Sequence, residues 1–228
     1  TGASYPVVSF FDSSNPNKFV VAYRDDSNSS YGTIRAGTIA GNNIIYGPEK
    51  VFNSATTNNI SIAFDPNEAD HFIVAYRDDG NSSNGTARAG YISNINATGV
   101  VCSVGSEYVF NAATTYDISV AFDPNTANKF VVAYMDGGNS NYGTAIVGSI
   151  SSNTVIAYGS EYVFNSSGQS QAHSISFDPN TANQFVVAYG DQGNSVFGTV
   201  IVGTINGSAI TDKVIAYGSE YVFNSANT

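Results

Sequence analysis

Phe64-Asp65-Pro66-Asn67 returns as Phe122-Asp123-Pro124-Asn125 and again as Phe177-Asp178-Pro179-Asn180. A degraded version, Phe11-Asp12-Ser13-Ser14, stands near the start. The four aspartates, Asp12, Asp65, Asp123 and Asp178, lie 53, 58 and 55 residues apart. Tyr23, Tyr76, Tyr134 and Tyr189 keep the same spacings, and Val51-Phe52-Asn53 recurs as Val109-Phe110-Asn111, Val163-Phe164-Asn165 and Val222-Phe223-Asn224. Self-similarity at a fixed period marks a repeat architecture. The 228 residues divide into four units averaging 57 residues: 1–59, 60–117, 118–173 and 174–228.

Each unit reads as four strands. Ile60-Ser61-Ile62-Ala63-Phe64 alternates large and small, and the Asp-Pro-Asn that follows puts proline where a turn suits its fixed φ. Phe72-Ile73-Val74-Ala75-Tyr76 is apolar on both faces and so belongs inside a stack of sheets. A Gly/Asn/Ser loop, 78–85, precedes the third strand. Glu107-Tyr108-Val109-Phe110 makes the fourth, with Glu49, Glu161 and Glu220 in the other units. Charge on a last strand discourages edge-to-edge association.

Four antiparallel strands repeated radially make a β-propeller blade. The expectation is an all-β chain, a single propeller domain of four blades. Its first strands lie innermost, where Ser61, Ser119 and Ser176 let them converge, and its fourth strands form the rim. A linear array would leave an apolar face bare at each end, whereas a closed ring buries every face. Phe223–Thr228 followed by Thr1–Val8 resembles the internal junction Phe52–Ile60, so four blades are expected to close. More repeats in a longer parent, or two copies completing a larger ring, are the alternatives. The chain starts Thr1-Gly2 rather than with Met and reads as a piece of something longer.

Eighteen acidic against eight basic residues give a net charge of −10. That charge repels nucleic acid and anionic membranes, and no apolar run approaches the roughly 18 residues of a membrane-spanning helix, so neither partner is expected. Abundant Val, Ile, Tyr, Phe and Thr, punctuated by 22 glycines, is β composition. High acidity also suits salt-rich water, where screening shortens self-repulsion to roughly 3–8 Å. The single cysteine, Cys102, excludes an internal disulfide framework and a cysteine zinc site. His71 and His173 fall at non-equivalent places, and no serine elbow or Cys–His pair is present. No catalytic residue, metal or cofactor is expected.

The sharpest local signal is an asymmetry between halves. The first unit carries Arg24, Asp26 and Arg35, and the second Arg77, Asp79 and Arg88. At those positions the third has Met135, Gly137 and Ile146, and the fourth Gly190, Gln192 and Ile201. Residues that come and go together are expected to touch, two arginines flanking one aspartate. The resulting local charge of +1 would suit a sulfate or uronate on a polysaccharide, because arginine offers bidentate donors. The simpler reading is a structural ion-pair cluster replaced by apolar packing in the other units. Tyr31 and Tyr142, before the third strand, can stack on sugar rings or simply pack the loop. Asp25, Asp78, Asp136 and Asp191 can offer oxygens to Ca²⁺, or hold turns through their own backbone.

Phe130-Val131-Val132-Ala133-Tyr134, then Gly138-Asn139-Ser140-Asn141-Tyr142-Gly143-Thr144-Ala145-Ile146-Val147-Gly148 and Gly159-Ser160-Glu161-Tyr162-Val163-Phe164-Asn165, resembles a tandem repeat of large marine phage and bacterial surface proteins. The resemblance covers the whole chain. It implies an extracellular or virion-exposed structural or adhesion role and no catalytic residues. The expected function is therefore a non-catalytic adhesion or recognition propeller, with acidic surface glycans or other protein chains of a larger assembly as partners. A purely structural spacer or decoration module is one alternative. A polysaccharide-degrading enzyme on a propeller scaffold is the other.

Overall fold

The computed structural model describes residues 2–10, 17–95 and 99–227; the degraded motif Phe11-Asp12-Ser13-Ser14 lies outside them. Among the described residues, β-branched and aromatic side chains alternating with Ala, Ser and Gly fold into fifteen strands, antiparallel at every pairing. In the first unit, β1 (Ala3–Phe10), β2 (Lys18–Asp25) and β3 (Tyr31–Ala40) pair in order with the first part of β4 (Asn43–Phe64). The second part of β4 opens the next unit by pairing with β5 (His71–Asp78). β6 (Asn84–Ile95) follows, and both β7 (Gly99–Val104) and the start of β8 (Tyr108–Phe122) pair with it. The rest of β8 begins the third unit with β9 (Lys129–Asp136), β10 (Tyr142–Ser151) and β11 (Val155–Asn165). The last unit is β12 (Ser170–Phe177), β13 (Gln184–Asp191), β14 (Phe197–Asn206) and β15 (Val214–Asn227). Because β4 and β8 run through unit boundaries, pairing is continuous over eleven strands, and the last four form their own sheet.

The units stack through faces of opposite character. Val20, Ala22, Ile34 and Ala36 of the first unit meet Phe64, Phe72, Val74 and Tyr76 of the second. Ile73, Ala75, Ala87 and Ala89 repeat the contact against Phe122, Phe130, Val132 and Tyr134. Val131, Ala133, Ala145 and Val147 repeat it against Phe177, Phe185, Val187 and Tyr189. Each unit thus has a face of smaller side chains turned towards the next unit and a face of larger ones turned back. The fourth-strand phenylalanine crosses the boundary: Phe52 packs on Tyr76, Phe110 on Tyr134 and Tyr158, and Phe164 on Tyr189 and Tyr217.

The recurring polar markers staple the same boundaries. Asn53, Asn111 and Asn165 are buried and each donates from Nδ2 to Oδ1 of Asp78, Asp136 and Asp191 in the following unit, 3.0 Å in every case. Asp65 and Asp123 accept from the backbone N–H of Asn128 and Asn183, at 2.6 and 3.1 Å, again one unit on. Buried polar groups must find partners, so each marker needs its counterpart in the neighbour.

Two expectations are corrected here. The four units do not close a ring. Three apolar clusters join consecutive units, and among the described residues none joins the last unit to the first. Phe223 is 63% exposed, while its equivalent Phe164 is 6% exposed. A face stays wet unless a neighbour covers it, and these two ends do not cover each other. The second correction is local. Ser61 and Ser119 pair with Ala75 and Ala133, and the residue paired with the matching Ala188 is Ser174, not Ser176. Ser61 and Ser119 do more than save space: their hydroxyls accept from the N–H groups of Val120 and Ile175 in the next unit.

Candidate functional site

The first strands of all four units line one cavity of about 320 Å³, through Tyr5, Asn59, Asp117, Ala172 and their neighbours. Each of these strands shifts register at the same place, and the four named residues have φ of 54°, 48°, 49° and 55°. A left-handed backbone at non-glycine residues is strained, and bulges of this kind re-aim side chains. The walls carry Asp117 and His173. Asp117 Oδ2 accepts from the Ala172 N–H at 3.1 Å, and its carbonyl lies 2.9 Å from His173 Nδ1. His173 Nε2 lies 2.8 Å from Ser170 Oγ. Burial pushes the His173 pKa down to about 4, against a smaller opposing effect of Asp117, so the ring is neutral at pH 7. Reading the sequence by repeat missed this site. The four positions hold Tyr, Asn, Asp and Ala and share a backbone conformation rather than a chemistry.

Beside the cavity runs a belt of polar contacts that contains half of the expected arginine residues. Ser4 Oγ donates to Asp26, and Arg24 Nε donates to the same carboxylate at 2.6 Å. Arg24 Nη1 reaches across the unit boundary to Asn58 Oδ1 at 2.7 Å, while Asn58 Nδ2 donates to Asp79 at 2.7 Å. Arg77 Nε closes the belt on Asp79 at 2.7 Å, and its guanidinium lies over Tyr116. The hydrogen bonds from Ser4 and Arg24 hold the Asp26 carboxyl below its ordinary value. Burial alone would raise Asp79, but the donors Arg77 and Ser83 outweigh it and lower its pKa as well.

Arg35 and Arg88 lie elsewhere. Arg88 donates to Glu107 at 2.6 Å and to the Gly105 carbonyl at 2.8 Å. Arg35 donates to the Gly47 carbonyl at 2.7 Å, approaches Glu49 to 3.6 Å and lies over Tyr46. The expected triad of two arginines around one aspartate is therefore corrected. Arg24 and Arg77 pair with Asp26 and Asp79, whereas Arg35 and Arg88 pair with Glu49 and Glu107. Four arginines meet four carboxylates, and no local surplus of positive charge results.

Ile146 and Ile201 occupy the Arg35 and Arg88 position in the later units, buried in the unit boundaries. The glutamates stay where they are, held by Tyr134 and Tyr189 hydroxyls at 2.7 and 2.6 Å. Arg88→Ile is accordingly expected to change stability by no more than about 1 kcal/mol, as a partly exposed pair does. A urea midpoint displaced by the equivalent of about 3 kcal/mol would show that the pair carries the boundary.

Tyr31 and Tyr142 are half-buried at the starts of β3 and β10, paired with Asp25 and Asp136. They belong to the first and third units and do not share one site. The loop aspartates hold turns. Oδ1 of Asp78, Asp136 and Asp191 accepts from Gly80, Gly138 and Gly193 N–H, at 2.9–3.0 Å. Among the described residues no group of three His, Cys, Asp or Glu side chains gathers to hold a metal. Cys102 is buried, which pushes its thiol up to about 12. Compared with known proteins, the chain matches no family model and no curated sequence.

Proposed function

We propose that this chain is a non-catalytic structural module whose working surfaces are its two end faces, which contact other protein. Its placement on a cell or virion exterior rests on the resemblance of the repeats. The observation that carries the reading is the bare face of the last unit. Val186 and Val202 are 37% and 36% exposed, whereas Val131 and Val147, at the same positions one unit earlier, are fully buried. Contiguous exposed apolar surface on an otherwise polar molecule marks an interaction site. Recognition of acidic glycans has less support, since every arginine of the candidate cluster already faces a carboxylate and the axial cavity adds Asp117 beside a neutral His173.

The test appends a copy of residues 171–228 after Thr228, in the register of the internal junctions. Val202→Cys placed in both chains reports on the face through a thiol reagent, with buried Cys102 silent. The appended unit is expected to slow labelling of position 202 by about tenfold or more, because only local opening then exposes it. Equal labelling of the four- and five-unit chains, at a dilution where neither associates, would remove the reading.

A further inference from the structure

The two open faces carry equivalents of the two sides of an internal unit boundary. The last unit presents Phe223 and Asn224, equivalents of the Phe164 and Asn165 that enter the unit boundary. The first unit presents the receiving half. A cavity of about 270 Å³ is lined by Tyr23 and Tyr46, the equivalents of Tyr189 and Tyr217, between which Phe164 packs. Around it, Ile44 is 53% exposed, while the matching Ile156 and Ile215 are 4% exposed. Next to it, a more polar cavity of about 370 Å³ is lined by Asp25, the equivalent of the aspartates that accept from Asn53, Asn111 and Asn165.

From this we infer that a second copy of the chain covers these faces head to tail, the last unit of one molecule seating on the first unit of the other. Phe223 enters the Tyr23–Tyr46 cavity, and Asn224 donates to Asp25. The inference rests on the reading of the end faces as working surfaces and names their occupant. It extends a contact already made three times within the chain, between the same kinds of face. The pairing is heterologous, so it either closes a ring or runs on as a fibre. The receiving face departs from the internal pattern at Ala3, which pairs with Asp25 where Thr57, Thr115 and Ser170 pair with the later aspartates, and at Ser27. Units two to four place Gly80, Gly138 and Gly193 against Ala55, Ala113 and Ser167 of the unit before, whereas the first unit has Ser27. A β-carbon at Gly80 or Gly138 would lie 2.4 or 2.5 Å from the Ala55 or Ala113 side chain, so the Ser27 side chain crowds the approach of Ala226, the equivalent of those alanines. Ser27→Gly therefore tightens the association.

Sedimentation equilibrium to about 100 μM tests this. The wild-type chain is expected to gain mass at least twofold, and more readily at high salt, which screens repulsion between copies of charge −10. Phe223→Asp spoils one face and Ile44→Asp the other; both residues are exposed, so each variant folds. Each alone is expected to stay monomeric, yet an equimolar mixture forms a 1:1 dimer, because each supplies the face the other lacks. Wild type that is monomeric throughout, or association that survives either substitution, overturns the inference. A monomeric wild type whose five-unit form protects position 202 would refute pairing between copies while leaving the end faces as working surfaces. Failure of both experiments refutes both.

Discussion

Lys129→Met is expected to destabilise the protein by about 3–5 kcal/mol, the cost of leaving a buried charge without its partner. The Lys129 ammonium lies 2.8 Å from Asp123, and the two side chains are 6% and 0% exposed. It also donates to Thr126 Oγ1 at 2.9 Å and to Asn183 Oδ1 at 2.5 Å. Burial pushes the Asp123 carboxyl up, but Lys129 and the backbone N–H groups of Asn125 and Asn183 outweigh it and hold it below its ordinary value. A depressed carboxyl stabilises the fold above its unfolded pKa, and that contribution fades as pH falls through the lower folded value. Asp65 shows the alternative. It holds the same place one unit earlier, with His71 where Lys129 stands, and burial leaves its carboxyl raised. Lys129→Met should make Asp123 behave likewise, its titration moving upward in a carboxyl-detected NMR series. Adding Asp123→Asn removes the stranded charge and should recover most of the loss in urea unfolding. An Asp123 titration unmoved by Lys129→Met would show that the backbone donors alone hold the carboxylate.

The strands and their order were legible because the asparagine and aspartate markers bond to residues of the next unit, which imposes the period on the sequence. Asn53, Asn111 and Asn165 recur since Asp78, Asp136 and Asp191 recur. Closure was not legible for the same reason. A periodic signal is alike at every boundary and holds no term for the angle between units or for the point where the series meets itself. The arginine triad failed on strand geometry. Arg35 pairs with Val21, three residues from Arg24 along β2, and an odd separation puts two side chains on opposite faces of a sheet. Their joint loss in later units reflects two separate exchanges. Gly137 and Gln192 replace the belt aspartates, and Ile146 and Ile201 fill the boundary. The axial cavity had no periodic chemistry to betray it.

His173→Ile is expected to exchange stability at neutral pH for stability in acid. The repeat itself supplies the replacement, since Ile60 and Ile118 hold the equivalent inner-strand position and are buried. His173 packs edge-on against Phe164, with ring centroids 5.5 Å apart, and sits in the apolar boundary between the last two units. Its folded pKa, pushed down to about 4 chiefly by burial, lies below the ordinary 6.5. Between those values the unfolded chain takes up a proton that the folded chain refuses. The fold therefore keeps its full stability above 6.5 and loses it progressively as pH drops towards 4. The gap corresponds to about 3 kcal/mol. At pH 7 the isoleucine variant should be the weaker by about 1 kcal/mol, because the Ser170 hydroxyl loses its partner. By about pH 4.5 the order should reverse, as only the wild type carries the His173 imidazole, which takes up a proton on unfolding. Titrating carboxyls such as Asp65 and Asp123 are common to both proteins and cancel in the difference. Urea unfolding of the pair at the two pH values reads that difference directly. A constant gap between the curves would mean that His173 titrates normally, and the dry boundary around it would have to be abandoned.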